Sequence, residues 1–459
     1  MAQFYQQELG NIPDFLKLHR LNPHRYPFLL ESAVHGTAQA RYDILFAFPG
    51  DTLILDNKEQ LYWKNSKLAD KDFLDVFDQC WVDEKVVTKK PPHSKDSLPF
   101  SGGWFVFLAY EMAQQVEPSL GIVSQKNKLP LAQATRIPLA LILDHTRNRC
   151  FVVCETDKKE YIEQVKEDIS NLQAIDDIDN HLSLKKCDEE KPAQYLKAVN
   201  KIKGYIKDGD VFQVNISRSW DIKLEQAVTP ATLYQKLKQT NPSPFAGLMR
   251  LNEQQAIISS SPERLLQRKG NMICARPIAG THPRSANKKQ DRKWSQELLR
   301  HPKERAEHVM LIDLERNDLG RVCKPGSIKI QECMALESYR HVHHIVSEIS
   351  GEALANITPG AILKALFPGG TITGCPKVRT MEIIAELETT PREAYTGSMG
   401  FINHDGDMDF NILIRSMTMD NDNICLRAGA GIVADSDPER ELNETRAKAK
   451  GLLACFEGL

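Results

Sequence analysis

Gly397-Ser398-Met399-Gly400-Phe401-Ile402-Asn403, Phe410-Asn411-Ile412-Leu413-Ile414-Arg415-Ser416-Met417-Thr418 and Ile424-Cys425-Leu426-Arg427-Ala428-Gly429-Ala430-Gly431-Ile432-Val433-Ala434 are three β-type runs close together near the end of the chain. Their short connections predict neighbouring antiparallel strands. Moving outward, the run Pro438–Phe456 predicts a helix opened by Ser436-Asp437-Pro438-Glu439, a capping box with an early proline. Glu304–Arg316 and Ala193–Lys207 also have helical periodicity, the latter stopping at Gly209. Val211–Ser217, Ala256–Ser260 and Met272–Ala275 predict strands. Helices and strands mix without a βαβ rhythm, so the class is α+β with large, mostly antiparallel sheets.

Toward the N-terminus, Tyr42–Phe48 and Thr52–Leu55 are strand-like and separated by the turn residues Pro49-Gly50-Asp51. Gly102–Tyr110 predicts a buried strand, Ile137–Asp144 with Cys150–Cys154 a hairpin, and Lys159–Leu172 a helix. Asp176-Asp177-Ile178-Asp179 and Lys185-Lys186-Cys187-Asp188-Glu189-Glu190-Lys191 mix charges without apolar period. The expected division there is an N-terminal region, 1–185, and a second region, 190–459.

The chain has 459 residues, 41% of them apolar and 26% charged, a composition of ordinary globular proteins. At ~150 residues per domain that is about three units, fewer if they are large. Lys and Arg number 59 against 61 Asp and Glu, a net charge of −2, so no global field draws the chain to nucleic acid or anionic lipid. The apolar stretch Ile137–Leu143 is too short for a membrane helix, and the first residues form no secretory signal. Ten cysteines without a Cys-x-x-Cys pair predict reduced thiols in a cytoplasmic protein.

Two Glu-x-x-Glu elements carry the clearest chemistry: Glu304-Arg305-Ala306-Glu307 and Glu441-Leu442-Asn443-Glu444. Acidic residues three apart share a helix face and repel mildly. A hard divalent cation such as Mg²⁺ would explain them, and so would two solvated helix faces. Lys448 follows Glu444 by four positions on the same face. The alternate glycines Gly429 and Gly431 let backbone N–H groups approach an anion, or mark a tight strand end. Phe367-Pro368-Gly369-Gly370-Thr371-Ile372-Thr373-Gly374-Cys375-Pro376-Lys377 is a second glycine-threonine loop without Walker A spacing.

Further motifs stand in order along the chain: Arg276-Pro277-Ile278-Ala279-Gly280-Thr281, Glu307-His308-x-Met310-x-Ile312-Asp313-Leu314-x-Arg316-Asn317-Asp318, Val342-His343-His344-Ile345-Val346-Ser347, the Pro368–Lys377 loop, Ile412–Arg415, Ala428–Ser436 and Glu444-Thr445-x-x-Lys448. Together they resemble the chorismate-utilising enzymes, the family of anthranilate synthase component I, aminodeoxychorismate synthase component I, and isochorismate and salicylate synthases. The resemblance is strong over about 193–456 and implies a two-lobed α+β sandwich flanked by helices, with the N-terminal strands built into the same body. It implies Mg²⁺ held by Glu307 and Glu444, with Glu304 and Glu441 as near or water-mediated partners. Thr281, Arg415, Gly429, Ala430, Gly431 and Lys448 would bind the substrate, chorismate. Glu263 would be the general acid/base, His344 would lie near the leaving hydroxyl, and Gln213 and Thr373 would complete the catalytic set.

Gln213 replaces the lysine with which isochorismate and salicylate synthases activate water, which implies ammonia as nucleophile. Asn215, Phe245-Ala246, His343 and Ser398 resemble aminodeoxychorismate synthase component I, the enzyme that leads to para-aminobenzoate and folate. Ala279, where many such enzymes carry an attacking lysine, and Ala430 point toward anthranilate synthase component I. With no lysine at 279, ammonia reaches C2 or C4 of the ring directly. A catalytically dead regulatory scaffold is a further alternative. The chain shows no glutaminase nucleophile, so a separate glutamine amidotransferase subunit is expected to supply ammonia. Leu29-Leu30-Glu31-Ser32 resembles the tryptophan-binding element of anthranilate synthases, and Ser32, Arg41, Tyr42, Pro244, Phe245 and Ala246 would line that pocket.

Overall fold

The computed structural model of the chain describes residues 4–34, 40–69, 72–84, 97–121, 127–175, 182–285, 287–338 and 342–456. Two twelve-stranded sheets dominate it, and all strand pairs among the described residues are antiparallel. Strand Tyr42–Ala47 shows why they stack. Leu45 and Ala47 enter one hydrophobic cluster, and Ile44 and Phe46 another, because side chains alternate across a strand. Gly103–Leu108 in the second sheet behaves alike: Trp104, Val106 and Leu108 face outward under helices, while Phe105 and Phe107 face the first sheet. The two inner faces meet over Phe28, Phe46, Phe105, Phe401, Met249 and Met399. The Phe28 and Phe105 rings stack at 4.3 Å, joining the sheets directly.

The outer face of the first sheet is covered by helices Phe15–Leu21, Glu160–Asn171, Pro230–Thr240 and Pro438–Leu453. Helices Phe73–Asp83, Pro302–Gly320 and Pro359–Leu366 cover the second. N-terminal strands run through both sheets: Phe28–Glu31 pairs with Phe245–Arg250, and Gly103–Leu108 pairs with Ser398–Asn403. Among the described residues no helix is long and apolar enough to cross a membrane.

Three local expectations need correction. Phe410–Thr418 is not one strand. Met408–Asn411 pairs with Ser398–Asn403 in the second sheet, whereas Ser416–Asp420 pairs with Gln255–Ser261 and Asn423–Ile432 in the first. Ile412–Arg415 crosses between sheets, and its apolar residues hide the crossing because Ile412 and Leu413 are buried in succession and Ile414 is half-buried. The charge-rich segment expected as a boundary includes strand Leu184–Glu189, an edge strand paired with Gln213–Leu224. Edge strands carry charge readily, since one side faces water. The last long helix is capped by Asp437, which accepts from the N–H of Arg440, while Ser436 Oγ accepts from Val433 N–H in the preceding turn.

Gly103 has φ +150°, and a Cβ there would run into the carbonyl of Ile402 on the paired strand. Gly103→Ala should therefore lower unfolding stability by about 1–3 kcal/mol, measured by urea denaturation; unchanged stability would show that this strand pair can shift without cost.

Candidate active site

Strand Gln213–Leu224 lies antiparallel to Asn423–Ile432, with Asn215 opposite Gly431 and Ser217 opposite Gly429. Alternation places Gln213, Asn215, Ser217, Arg427, Gly429 and Gly431 on one face. Val214, Ile216, Ala430 and Ile432 occupy the other and pack with Tyr195, Val199 and Leu442. Ala430 is therefore a core residue that offers the first face its backbone alone. The glycines leave that face open. A Cβ on Gly429 would lie 2.7 Å from Asn215 Oδ1 and 2.8 Å from the Tyr395 hydroxyl, and one on Gly431 would overlap the Gln213 amide.

Cations gather at this face. Lys448 Nζ donates to the carbonyl of Gly429 at 3.0 Å and pairs with Glu444 at 2.8 Å. Arg415 follows the crossover at φ +53° and donates from Nη1 to the Lys448 carbonyl at 2.8 Å. Close by, the buried carboxylate of Glu388 accepts from Ser217 N–H and Oγ, from Arg392 and from Arg427, at 2.7–3.0 Å. Burial alone would raise the Glu388 pKa, but Arg392 and Arg427 outweigh it and hold the carboxyl below its usual range. Two guanidinium groups and one carboxylate leave an excess positive charge next to the glycine strand. This cluster and Tyr395 were missed in the sequence: Glu388 and Arg392 stand four apart, but Arg427, which completes the cluster, lies far along the chain and no local pattern ties it to them.

Glu263 lies on a second crossover between sheets, Ser261-Pro262-Glu263-Arg264. The two crossovers are tied: Ile412 N–H donates to Glu263 O at 3.0 Å, and Ser261 Oγ donates to Ile412 O at 2.5 Å. The Glu263 carboxyl is 4% exposed, and burial pushes its pKa up to about 7. Its neighbours are Ile278 N–H at 3.4 Å, the Thr371 hydroxyl, Lys448 at longer range and a second buried carboxyl, Glu315. The Thr371 hydroxyl beside the carboxyl is the foremost of the groups that pull that pKa back down against burial. Thr373 plays a different part; its hydroxyl donates to Gly369 O and Gly370 O within its own turn. His344, 7% exposed, has its pKa pushed down to about 4 by burial and by the cations Arg415 and Lys448, so its imidazole is neutral at pH 7. Thr281 is paired with His344 through its backbone, and its side chain lies outside the described residues. Ala279 is buried next to Ile278 on the same strand.

The four helix carboxylates are spread over two elements. Glu304 Oε2 lies 2.9 Å from where Gly280 would carry a Cβ, Glu307 is half-buried one turn on, Glu441 is buried, and Glu444 is exposed beside Lys448. Among the described residues no group of three or more His, Cys, Asp or Glu side chains is arranged to hold a metal ion. The donors are hard carboxylate oxygens, and Mg²⁺ takes one or two of these with water and substrate oxygens filling the rest, so Glu307 and Glu444 fit that cation by chemistry.

A separate cavity of about 360 Å³ lies between the sheets. Ser32, Arg41, Tyr42, Pro244, Phe245 and Ala246 all line it, the six residues expected of a tryptophan-like pocket. Arg264 lines it too, paired with Asp409 at 2.9 Å and stacked over Phe245. Glu263 and its neighbour Arg264 therefore serve two different spaces.

Residues 27–454 match the family described as chorismate binding enzyme, and the chain belongs to that family. It is 40% identical to an anthranilate synthase component I-like protein of Synechocystis sp., over 84% of this chain and 78% of that one. It is 47% identical to aminodeoxychorismate synthase component 1 of Bacillus subtilis, over 57% of this chain and 55% of that one. The solved anthranilate synthase component I of Streptococcus pneumoniae superposes with a TM-score of 0.78 at 31% identity, covering 91% of this chain and 93% of that one. Its relatives thus divide between two activities.

Glu263 can give a proton only below its pKa of about 7 and is ionised above it. Turnover at constant free ammonia should fall on the alkaline side with a midpoint near 7. Glu263→Gln should cost about 10²–10⁴-fold in kcat and remove that limb; a variant that keeps the alkaline limb would assign it to another group.

Proposed function

We propose that this chain is the chorismate-aminating component I of aminodeoxychorismate synthase, forming 4-amino-4-deoxychorismate for para-aminobenzoate and folate synthesis. The observation that carries this choice is Asn215. It is the one of the four discriminating positions whose side chain faces the glycine strand beside the catalytic acid. Phe245-Ala246 line the separate cavity, His343 pairs with Asp291, and Ser398 Oγ donates to Asn411 O. The 47% identity to the Bacillus subtilis enzyme over part of the chain supports the same choice.

Chorismate is a dianion, and Arg415, Lys448 and the Gly429–Gly431 backbone are the groups that bind its carboxylates. The Arg392–Glu388–Arg427 cluster adds positive potential to the same face. Glu263 gives its proton to the ring hydroxyl, which leaves as water. The ammonia lone pair forms the new C–N bond, and the surplus proton on nitrogen restores the acid. Neutral His344 donates or accepts at the departing oxygen without adding charge. Glu307 and Glu444 would hold Mg²⁺, with Glu304 and Glu441 near; the bound cation would neutralise the ring carboxylate. With alanine at 279, no lysine adduct forms at that position. A component II glutaminase supplies the ammonia, as the component names of the relatives suggest, and tryptophan is the ligand proposed for the 360 Å³ cavity. Anthranilate synthase component I is the second reading, favoured by Ala279. The retained buried acid and converging cations speak against an inert scaffold.

Incubation with chorismate, Mg²⁺ and an ammonium salt should give aminodeoxychorismate, releasing pyruvate only once a lyase is added, whereas glutamine should not replace ammonium for the isolated chain. Immediate pyruvate with fluorescent anthranilate would make it anthranilate synthase. Glu307→Gln and Glu444→Gln should each abolish Mg²⁺-dependent turnover while the circular dichroism spectrum stays unchanged; near-normal activity at limiting Mg²⁺ would refute the metal assignment.

A further inference from the structure

Two buried amide oxygens facing the glycine strand, Gln213 Oε1 and Asn215 Oδ1, make no hydrogen bond, and Thr371 Oγ1 has only the Glu263 carboxyl beside it. Buried polar atoms are nearly always paired, so two unpaired amide oxygens on one strand face, with Thr371 next to one of them, call for a missing donor. The other groups of Asn215 each have a partner. Its N–H donates to Thr373 O at 2.8 Å, its carbonyl accepts from Arg392 at 2.7 Å, and its Nδ2 donates to Thr371 O at 3.4 Å. A carbonyl can only accept, so this last bond fixes the amide orientation and turns Oδ1 toward Gly429.

We propose that Asn215 and Thr371, with Gln213 as a third acceptor, hold the attacking ammonia. This rests on the reading that the chain aminates chorismate. Two of the three atoms are amide oxygens and take only a donor, which the substrate carboxylates cannot supply; those have Arg415 and Lys448. Ammonia offers three N–H donors and one lone pair, so N–H bonds to these acceptors leave the lone pair pointing away from them, over the open face at Gly429. Water offers two donors and itself seeks donors in return; of these three atoms only the Thr371 hydroxyl could give one, so the set suits ammonia better. Thr371 is also the residue beside Glu263, so the site lies on the side where the acid acts. Carbonyl oxygens directed at the nitrogen stabilise the positive charge that grows on it during attack, in a setting where no solvent must reorganise.

Asn215→Leu and Thr371→Val should each raise the KM for ammonium chloride by about tenfold, the effect of one lost hydrogen bond. The KM for chorismate, and its dissociation constant by calorimetry, should stay within about twofold. Thr371→Ser keeps the hydroxyl and should restore the normal ammonium KM. If Asn215→Leu does not fold, the Thr371 pair decides alone. An ammonium KM that does not move, or chorismate affinity that falls in step with it, would overturn the ammonia site while leaving the aminating activity intact. A wild-type chain that does not consume chorismate with ammonium would instead overturn the functional reading on which the site rests.

Discussion

The site depends on two chain crossings between sheets that are hydrogen-bonded to each other. Ser261–Arg264 carries the chain from the first sheet to the second, and Ile412–Arg415 brings it back. Ile412 N–H on Glu263 O and Ser261 Oγ on Ile412 O lock the two crossings side by side. Thr396 N–H on Leu413 O and Leu413 N–H on Gly397 O bind the Tyr395 turn to the same place. One short stretch of backbone thereby sets the acid Glu263, the cation Arg415 and the Tyr395 hydroxyl relative to the glycine strand. A sheet interior cannot offer this, since its side chains stand in fixed alternation and its backbone groups are spent on the ladder.

Burial then divides the work among titratable groups. Glu263 and His344 are both enclosed, yet desolvation moves them oppositely, because it disfavours whichever form is charged. The carboxyl is held as an acid near neutral pH and the histidine as a neutral ring. The nearby cations reinforce the histidine shift, whereas only Lys448 among them acts on the acid, and weakly. Glu388 shows the other outcome. It is as enclosed as Glu263, but two guanidinium groups keep it ionised. Removing one partner from such a buried group costs about 3–5 kcal/mol, so the cluster holds Asn215 and the glycine strand firmly in place.

The same crossing links two spaces. Glu263 turns toward the chorismate face, and Arg264 toward the cavity with Ser32, Arg41 and Phe245. The Arg264–Asp409 pair and the stacking of Arg264 on Phe245 fix the cavity wall one peptide away from the acid. The N-terminal strand Phe28–Glu31 reaches this wall by pairing with Phe245–Arg250, which makes the first part of the chain integral to both spaces.

Much was legible in the sequence because it is local. A β-type run after the Pro49-Gly50-Asp51 turn marked Thr52–Leu55 with the bounds observed, and helical periodicity with end signals marked Pro192–Lys207 and Glu160–Asn171 within a residue or two. Ordered motifs identified the family, and the six cavity residues were named from the resemblance of Leu29–Ser32 to a tryptophan-binding element. What lay beyond the sequence depends on pairing over long separations. Ile412–Ile414 looks like an ordinary buried strand, since Ile412 and Leu413 are buried in succession and Ile414 half-buried, which leaves no telling alternation. The Arg392–Glu388–Arg427 cluster arises only when a helix end meets a strand pair, and Thr371 rather than Thr373 stands beside Glu263 because the turn consumes the Thr373 hydroxyl. The sequence by itself determined which residue types were available and the elements that carry them. Tertiary structure alone decided which of them lost water and partners together, and that loss sets the proton affinities and the unpaired acceptors of the site.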